Sequence, residues 1–144
     1  MIRKAESKDL TILAELACQL WPDHTMEEMQ IEFAEIIAKT DSAYFLAYAN
    51  ENAIGFAQCQ LRHDYVEGTD SSPVGYLEGI YVADGYRKQG IARELLSACE
   101  KWAKEKGCTE FASDCELDNT QSLRFHLNVG FEEANRIICF TKKL

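Results

Sequence analysis

Glu78 stands inside an otherwise apolar run, Val74 to Val82. A carboxylate there costs free energy unless a cleft or a partner receives it. A group so placed is either a satisfied structural carboxylate or a site residue suited to moving a proton or holding a cation. Downstream, the chain passes the turn Asp84-Gly85 and enters Arg87-Lys88-Gln89-Gly90-Ile91-Ala92-Arg93. A strand, a tight glycine loop and a helix start, in that order, hold phosphate: the first N–H groups of a helix lack partners, and its dipole adds partial positive charge. Gly90 lets the backbone approach a bulky anion closely. Arg87, Lys88 and Arg93 supply counter-charge. The loop is not of the Walker type, since no Gly-x-x-x-x-Gly-Lys-Ser/Thr occurs. A third group, Asn119, Ser122 and His126, recurs at helical spacing and so shares one face. A histidine there is either a hydrogen-bonded core or surface residue or one that moves a proton near neutral pH, and Asn119 serves equally as a helix N-cap. Asp114 ends the strand before it, as a cleft carboxylate or as a turn or cap residue. Gly79, within its own strand, marks either tight packing or close approach by a ligand.

These residues need elements to carry them. Ile2 to Glu6 reads as a short strand, and Ser7 as the cap of a helix with Leu10, Leu13, Ala17 and Leu20 on one face. Trp21-Pro22-Asp23-His24 breaks it. Thr25 and Glu28 form a capping box for a second helix reaching about Lys39, with Met29, Phe33 and Ile36 as its stripe. Strands follow at Ala43 to Ala49 and Ile54 to Asp64, joined by the turn Asn50-Glu51-Asn52 and expected to pair antiparallel. Tyr65 to Pro73 is a loop, and Val74 to Val82 a central strand with Glu78, Ile80 and Val82 alternating onto one face. The next helix runs from Gly90 to about Lys106 on the stripe Ile91, Leu95, Cys99, Trp102 and Ala103, ended by Gly107. Thr109 to Asp114 reads as a buried strand, Asp118 or Asn119 to Gly130 as a fourth helix, and Arg136 to Thr141 as a last strand. The order implies one domain over residues 1–144, with a mixed sheet and helices on both faces.

The chain has 144 residues and a net charge of −9. That balance disfavours nucleic acid and anionic membrane as partners, and it serves either a cationic ligand or plain solubility. No signal peptide and no membrane-length apolar run is visible. Six cysteines (Cys18, Cys59, Cys99, Cys108, Cys115, Cys139) show no Cys-x-x-Cys pairing and are expected as reduced, mostly core thiols of a cytoplasmic protein, with no metal site.

Arg87-x-x-Gly90-x-Ala92 after Ile80-Tyr81-Val82 resembles the acetyl-CoA pyrophosphate loop of the GNAT N-acetyltransferase superfamily. Asn119, a helix and then Gly130-Phe131 resembles that superfamily's terminal motif. There the asparagine contacts the pantetheine arm, and the residue four before the glycine is often a tyrosine near the departing thiol; here it is His126. Leu20 to His24, Arg62 to Val66, Ser71 to Pro73, Leu77 to Ile80 and Ala112 to Asp114 together look like the aminoglycoside 6′-N-acetyltransferases, over nearly the whole chain.

The resemblance implies a mixed, mostly antiparallel α/β (α+β) GNAT domain that uses acetyl-CoA, with homodimers common among relatives. It implies that Trp21, His24, Tyr65, Glu78 and Asp114 surround an aminoglycoside. It places Ile80, Tyr81, Val82, Lys88, Gln89, Gly90, Ile91, Ala92, Arg93 and Asn119 along acetyl-CoA. Some relatives carry an acid where this chain has Asn135, which bears on substrate range. The expected chemistry is direct transfer in a ternary complex. Glu78 is the candidate base, a backbone N–H near Val82 meets the oxyanion, and His126 protonates the thiolate. No cysteine sits in a nucleophile's setting. Rival readings are a polyamine or peptide amine acetyltransferase, and a non-catalytic acyl-CoA-binding sensor; Glu78, Asp114 and Trp21 favour the enzyme.

Overall fold

Three long strands with few polar interruptions form the centre of the sheet because both of their faces are covered. The computed structural model describes residues 1–144, and in it β1 (Ile2–Lys4), β2 (Ser42–Ala49), β3 (Asn52–Arg62), β4 (Val74–Val82) and β5 (Phe111–Ser113) lie side by side in chain order. Pairing is antiparallel through β4 and parallel between β4 and β5. On one face, α1 (Leu10–Leu20) and α2 (Met26–Ile37) bring Leu13, Ala14, Ala17, Met29 and Phe33 onto Tyr44, Leu46 and Phe56. On the other, α3 (Ile91–Glu105) sets Leu95, Leu96, Cys99, Trp102 and Ala103 on Phe45, Ala57, Cys59, Leu77 and Val82. Burial on both faces explains why β2 reads as a nearly continuous apolar run. The mixed α/β architecture is the one expected.

Local chemistry sets the ends. Thr25 accepts from the Glu28 N–H and Glu28 returns the bond, so the expected capping box opens α2. Ser7 does not cap α1; it begins a 3₁₀ turn (Ser7–Asp9) that precedes the helix. Asp9 does the work there. Its buried carboxylate accepts from the Glu6 N–H at 2.8 Å and pairs with both terminal nitrogens of Arg3 at 2.8 and 2.7 Å. The Arg3 bonds hold the Asp9 carboxyl below the usual carboxylate range.

Three expectations need correction. β5 is a three-residue, half-buried edge strand rather than a buried one over Thr109 to Asp114. Residues 136–141 form no strand: after α4 (Thr120–Asn128) the chain runs from Phe131 to Leu144 without regular structure. A strand needs a neighbour, and this segment has none within the chain; Ile137, Ile138 and Phe140 are 70, 81 and 87% exposed. Of the six free cysteines only half, Cys59, Cys99 and Cys108, are buried, and Cys139 lies exposed on that terminal run.

Candidate active site

β4 has β5 beside it only as far as the pair Leu77–Ser113; from Glu78 to Val82 that side of the strand is open. The sheet therefore parts into a wedge between β4 and the chain leaving β5. Beyond the open stretch, the loop from Ala83 to Gly90 takes three left-handed turns, at Gly85 (φ 87°), Lys88 (φ 60°) and Gly90 (φ 83°). Gly90 is the N-cap of α3, and no side chain caps the helix. The N–H groups of Ile91, Ala92 and Arg93 thus have no acceptor within the helix. Arg87 does not face outward. Its guanidinium donates to the Val82 carbonyl at 2.7 Å and pairs with Asp84 at 3.1 Å, bracing the loop. Arg93 donates to the Asn128 carbonyl and ties α3 to the end of α4. Lys88 makes no ion pair, which leaves it as the loop's uncommitted cation.

Glu78 sits where the wedge begins. It does not alternate with Ile80 and Val82 as expected, because β4 carries a bulge: Gln58 lies opposite Gly79 and Cys59 opposite Leu77, so Glu78 has no partner across the ladder. The bulge re-aims the side chain. Leu77 and Ile80 pack with α3, while Glu78 joins Gln60 and Arg62 on the opposite face. Gln60 Nε2 donates to its Oε1 at 2.5 Å. Arg62 donates to Oε1 from Nε at 3.0 Å and from Nη2 at 2.9 Å, and from Nη2 to Oε2 at 3.0 Å. The Arg62 guanidinium lies 3.4 Å over the centre of the Tyr76 ring, and the Tyr76 hydroxyl donates to Asp114. Burial pushes the Tyr76 phenol up, and Asp114 adds to that. The two acids singled out in the sequence are therefore linked through Arg62 and Tyr76.

Trp21 closes the same region from the α1 end. A Cβ on Gly79 would stand 2.8 Å from the Trp21 ring, so glycine is required for that close approach. Gly79 thus packs against a side chain of the site wall. Tyr65 is 77% exposed and shares with Gln60, Arg62 and Asp64 an open depression of about 440 Å³. His24 stands apart on the turn between α1 and α2, paired with Glu28 at 3.5 Å. Asn135 donates to Glu67 in the adjacent loop.

Across the wedge, Asn119 accepts from the Ser122 N–H and so caps α4; its amide N–H groups make no bond within the chain. His126 has both nitrogens engaged. Nδ1 lies 2.7 Å from the Ser122 carbonyl, which can only accept, so Nδ1 carries the proton. Nε2 then accepts from the Ser113 hydroxyl at 2.8 Å. His126 therefore meets the wedge through Ser113, next to the last β4–β5 pair. If the ring gained a proton, the Ser113 bond would reverse and free the hydroxyl proton for another acceptor, of which the Leu77 carbonyl at 3.3 Å is one.

No role was assigned from sequence to Gln60, Arg62, Tyr76 or Ser113. One signal was there: Gln58, Gln60 and Arg62 place polar groups at every second position of a strand otherwise apolar. No group of His, Cys, Asp and Glu side chains is arranged to hold a metal ion.

The sequence matches the model of the Acetyltransferase (GNAT) family over residues 10–131. It is 42% identical over 142 residues to an aminoglycoside N(6')-acetyltransferase type 1 of Salmonella enteritidis, covering 99% of this chain and 98% of the relative. It is 40% identical over 143 residues to the type 1 enzyme of Acinetobacter haemolyticus, covering 99% and 98%. Among solved structures it superposes on AAC(6')-Iy, in complex with the bisubstrate analogue CoA-S-monomethyl-acetylneamine, with a TM-score of 0.96 at 42% identity, covering 100% of this chain and 98% of the other. The aminoglycoside 6'-N-acetyltransferase AAC(6')-Ih of Acinetobacter baumannii gives 0.94 at 40% identity, covering 100% and 98%.

Proposed function

We infer that this chain, which belongs to the GNAT acetyltransferase family and within it to the aminoglycoside N(6')-acetyltransferases, transfers acetyl from acetyl-CoA to the 6'-amine of an aminoglycoside and so confers resistance. The observation that carries this is the wedge between β4 and β5, with Glu78 where it opens and the bare start of α3 at its far end. The open edge of Ile80, Tyr81 and Val82 offers backbone groups to the pantetheine arm. Lys88, Gln89 and Gly90 with the first N–H groups at Ile91, Ala92 and Arg93 take the pyrophosphate, and Asn119 offers its amide. Glu78 and Asp114 meet the polycation's ammonium groups. Trp21 and Tyr65 pack on its rings, and His24 lies at the outer rim.

In the reaction, the amine nitrogen bonds to the acetyl carbon and the carbon–sulfur bond breaks. The amine's proton passes to Glu78, directly or through a water. The thiolate takes a proton from the Ser113 hydroxyl, which regains one from His126 Nε2 when the ring enters the cycle doubly protonated. A domain spanning residues 1–144 carries the whole site.

The direct test is release of free CoA by the purified protein against aminoglycosides, polyamines and peptides. Turnover with aminoglycosides bearing a 6'-amine, and none with analogues carrying a 6'-hydroxyl, is expected. Turnover with polyamines or peptides alone would replace the substrate and keep the fold reading; CoA binding without turnover on any amine would favour a sensor.

We further assign the working form to a cytoplasmic homodimer. No helix is long and apolar enough to cross a membrane, and six unpaired thiols suit a reducing compartment. The unpaired run from Phe131 to Leu144, with exposed Ile137, Ile138 and Phe140, is a ready strand for a second copy. Sedimentation of the full chain should give twice the chain mass; a monomer at micromolar concentration would reject this.

A further inference from the structure

We propose that Arg62 is a positioning residue for the acetyl transfer, one that orients Glu78 so that a single carboxylate oxygen is left to receive the amine; the proposal rests on the acetyltransferase reading above. A carboxylate has about four acceptor sites. Three donors, from Gln60 Nε2 and from Arg62 Nε and Nη2, converge on Oε1, whereas Oε2 has only Arg62 Nη2. Oε1 is thereby saturated, and Oε2 keeps a vacant lone pair for the amine or for a water that relays its proton.

The backbone alone would not fix this orientation. Glu78 is the unpaired residue of the β4 bulge, so no cross-strand neighbour constrains it. Arg62 is constrained: it comes from the end of β3, its flat face rests on Tyr76, and Tyr76 is held by Asp114. A planar fork delivers two donors in one plane, which a lysine ammonium does not do. The pairing also explains how a cation is tolerated beside a site for a polycation. Its charge is met by Glu78 and its face by the ring, so it presents no free ammonium-like end to the substrate.

The experiment uses the full chain with Arg62→Ala, Arg62→Lys, Glu78→Gln and the double variant Arg62→Ala/Glu78→Gln, assayed by CoA release with an aminoglycoside. Arg62→Ala should lower kcat by ~10- to 10²-fold, the scale of a misplaced reacting group, with KM for acetyl-CoA unchanged. Arg62→Lys should recover only part of this. Low-millimolar guanidinium should restore activity to Arg62→Ala and not to Glu78→Gln. The double variant should be no slower than Glu78→Gln alone, because Arg62 acts through Glu78. A lost fold would not respond to guanidinium or vanish in the Glu78→Gln background; if Arg62→Ala does not fold, Arg62→Lys decides. Wild-type kcat in Arg62→Lys, or multiplicative losses in the double variant, would overturn the proposal. So would a lower aminoglycoside KM with kcat intact in Arg62→Ala, which would make Arg62 a competitor of the substrate's ammonium. Wild-type protein inactive on every amine would instead reject the functional reading beneath it.

Discussion

Glu78→Gln should lower kcat/KM for an aminoglycoside by ~10²- to 10³-fold, within the range typical of losing a general base. Acetyl-CoA affinity should stay nearly unchanged. The substitution keeps the size of the side chain and one acceptor oxygen, while removing charge and basicity. It acts at the residue that follows the last β4–β5 pair, where two neighbouring side chains are already aimed at it. Its effect is enlarged by what stays behind, because the Arg62 guanidinium loses its carboxylate and faces the incoming polycation unpaired. The loss corresponds to roughly 3–4 kcal/mol of transition-state stabilisation. Steady-state kinetics divide the causes. A fall carried by kcat marks proton removal, and a fall carried by KM marks attraction and orientation of the ammonium. A Glu78→Gln enzyme with wild-type kcat/KM on a kanamycin-like substrate would sink both.

Gly90→Asp should abolish measurable acetyl-CoA binding in calorimetry. Gly90 has φ 83°, and a Cβ built on it meets nothing within 4 Å, so a side chain there is strained but not crowded. Strain alone costs about 1–2 kcal/mol. An aspartate adds a negative charge at the helix start where pyrophosphate would lie. At ~4 Å and an effective dielectric near 20, that repulsion is on the order of 4 kcal/mol, or nearly three decades in affinity. Gly90→Ala separates the two contributions, since it carries the strain without the charge and should bind only modestly more weakly. Equal affinity for the aspartate variant and the wild type, with both folded, would remove the loop from the cofactor site.

The helices were legible because their determinants are local. Thr25 and Glu28 announce α2 within four residues, and Leu95, Cys99, Trp102 and Ala103 recur at the helical period that α3 buries. The loop before α3 was legible for the same reason: Gly85 and Gly90 sit at backbone angles that favour glycine. The setting of Glu78 was not. The bulge depends on how distant residues of two strands come into register, Cys59 with Leu77 and Gln58 with Gly79, and simple alternation put the side chain on the wrong face. Arg62 and Tyr76 were invisible as a unit because they meet only once β3 and β4 are paired. Arg87 misled in the opposite sense: its charge suggested a phosphate contact, and the fold turns it back onto Val82. The terminal run has the composition of a strand, but composition does not supply the neighbour a strand needs.

In the dimer proposed above, that run also governs how durable the protein is. If the last fourteen residues find their partner only on a second copy, folding is a second-order equilibrium. The melting temperature then rises with protomer concentration, by the mass-action rule that applies to any bound partner. Dilution does the reverse. It returns Ile137, Ile138 and Phe140 to water as an uncovered strand, the kind of segment that seeds disordered association when its intended neighbour is missing. Loss of activity on standing at low concentration would then reflect not chemical damage to the wedge but the wrong chain pairing with the tail.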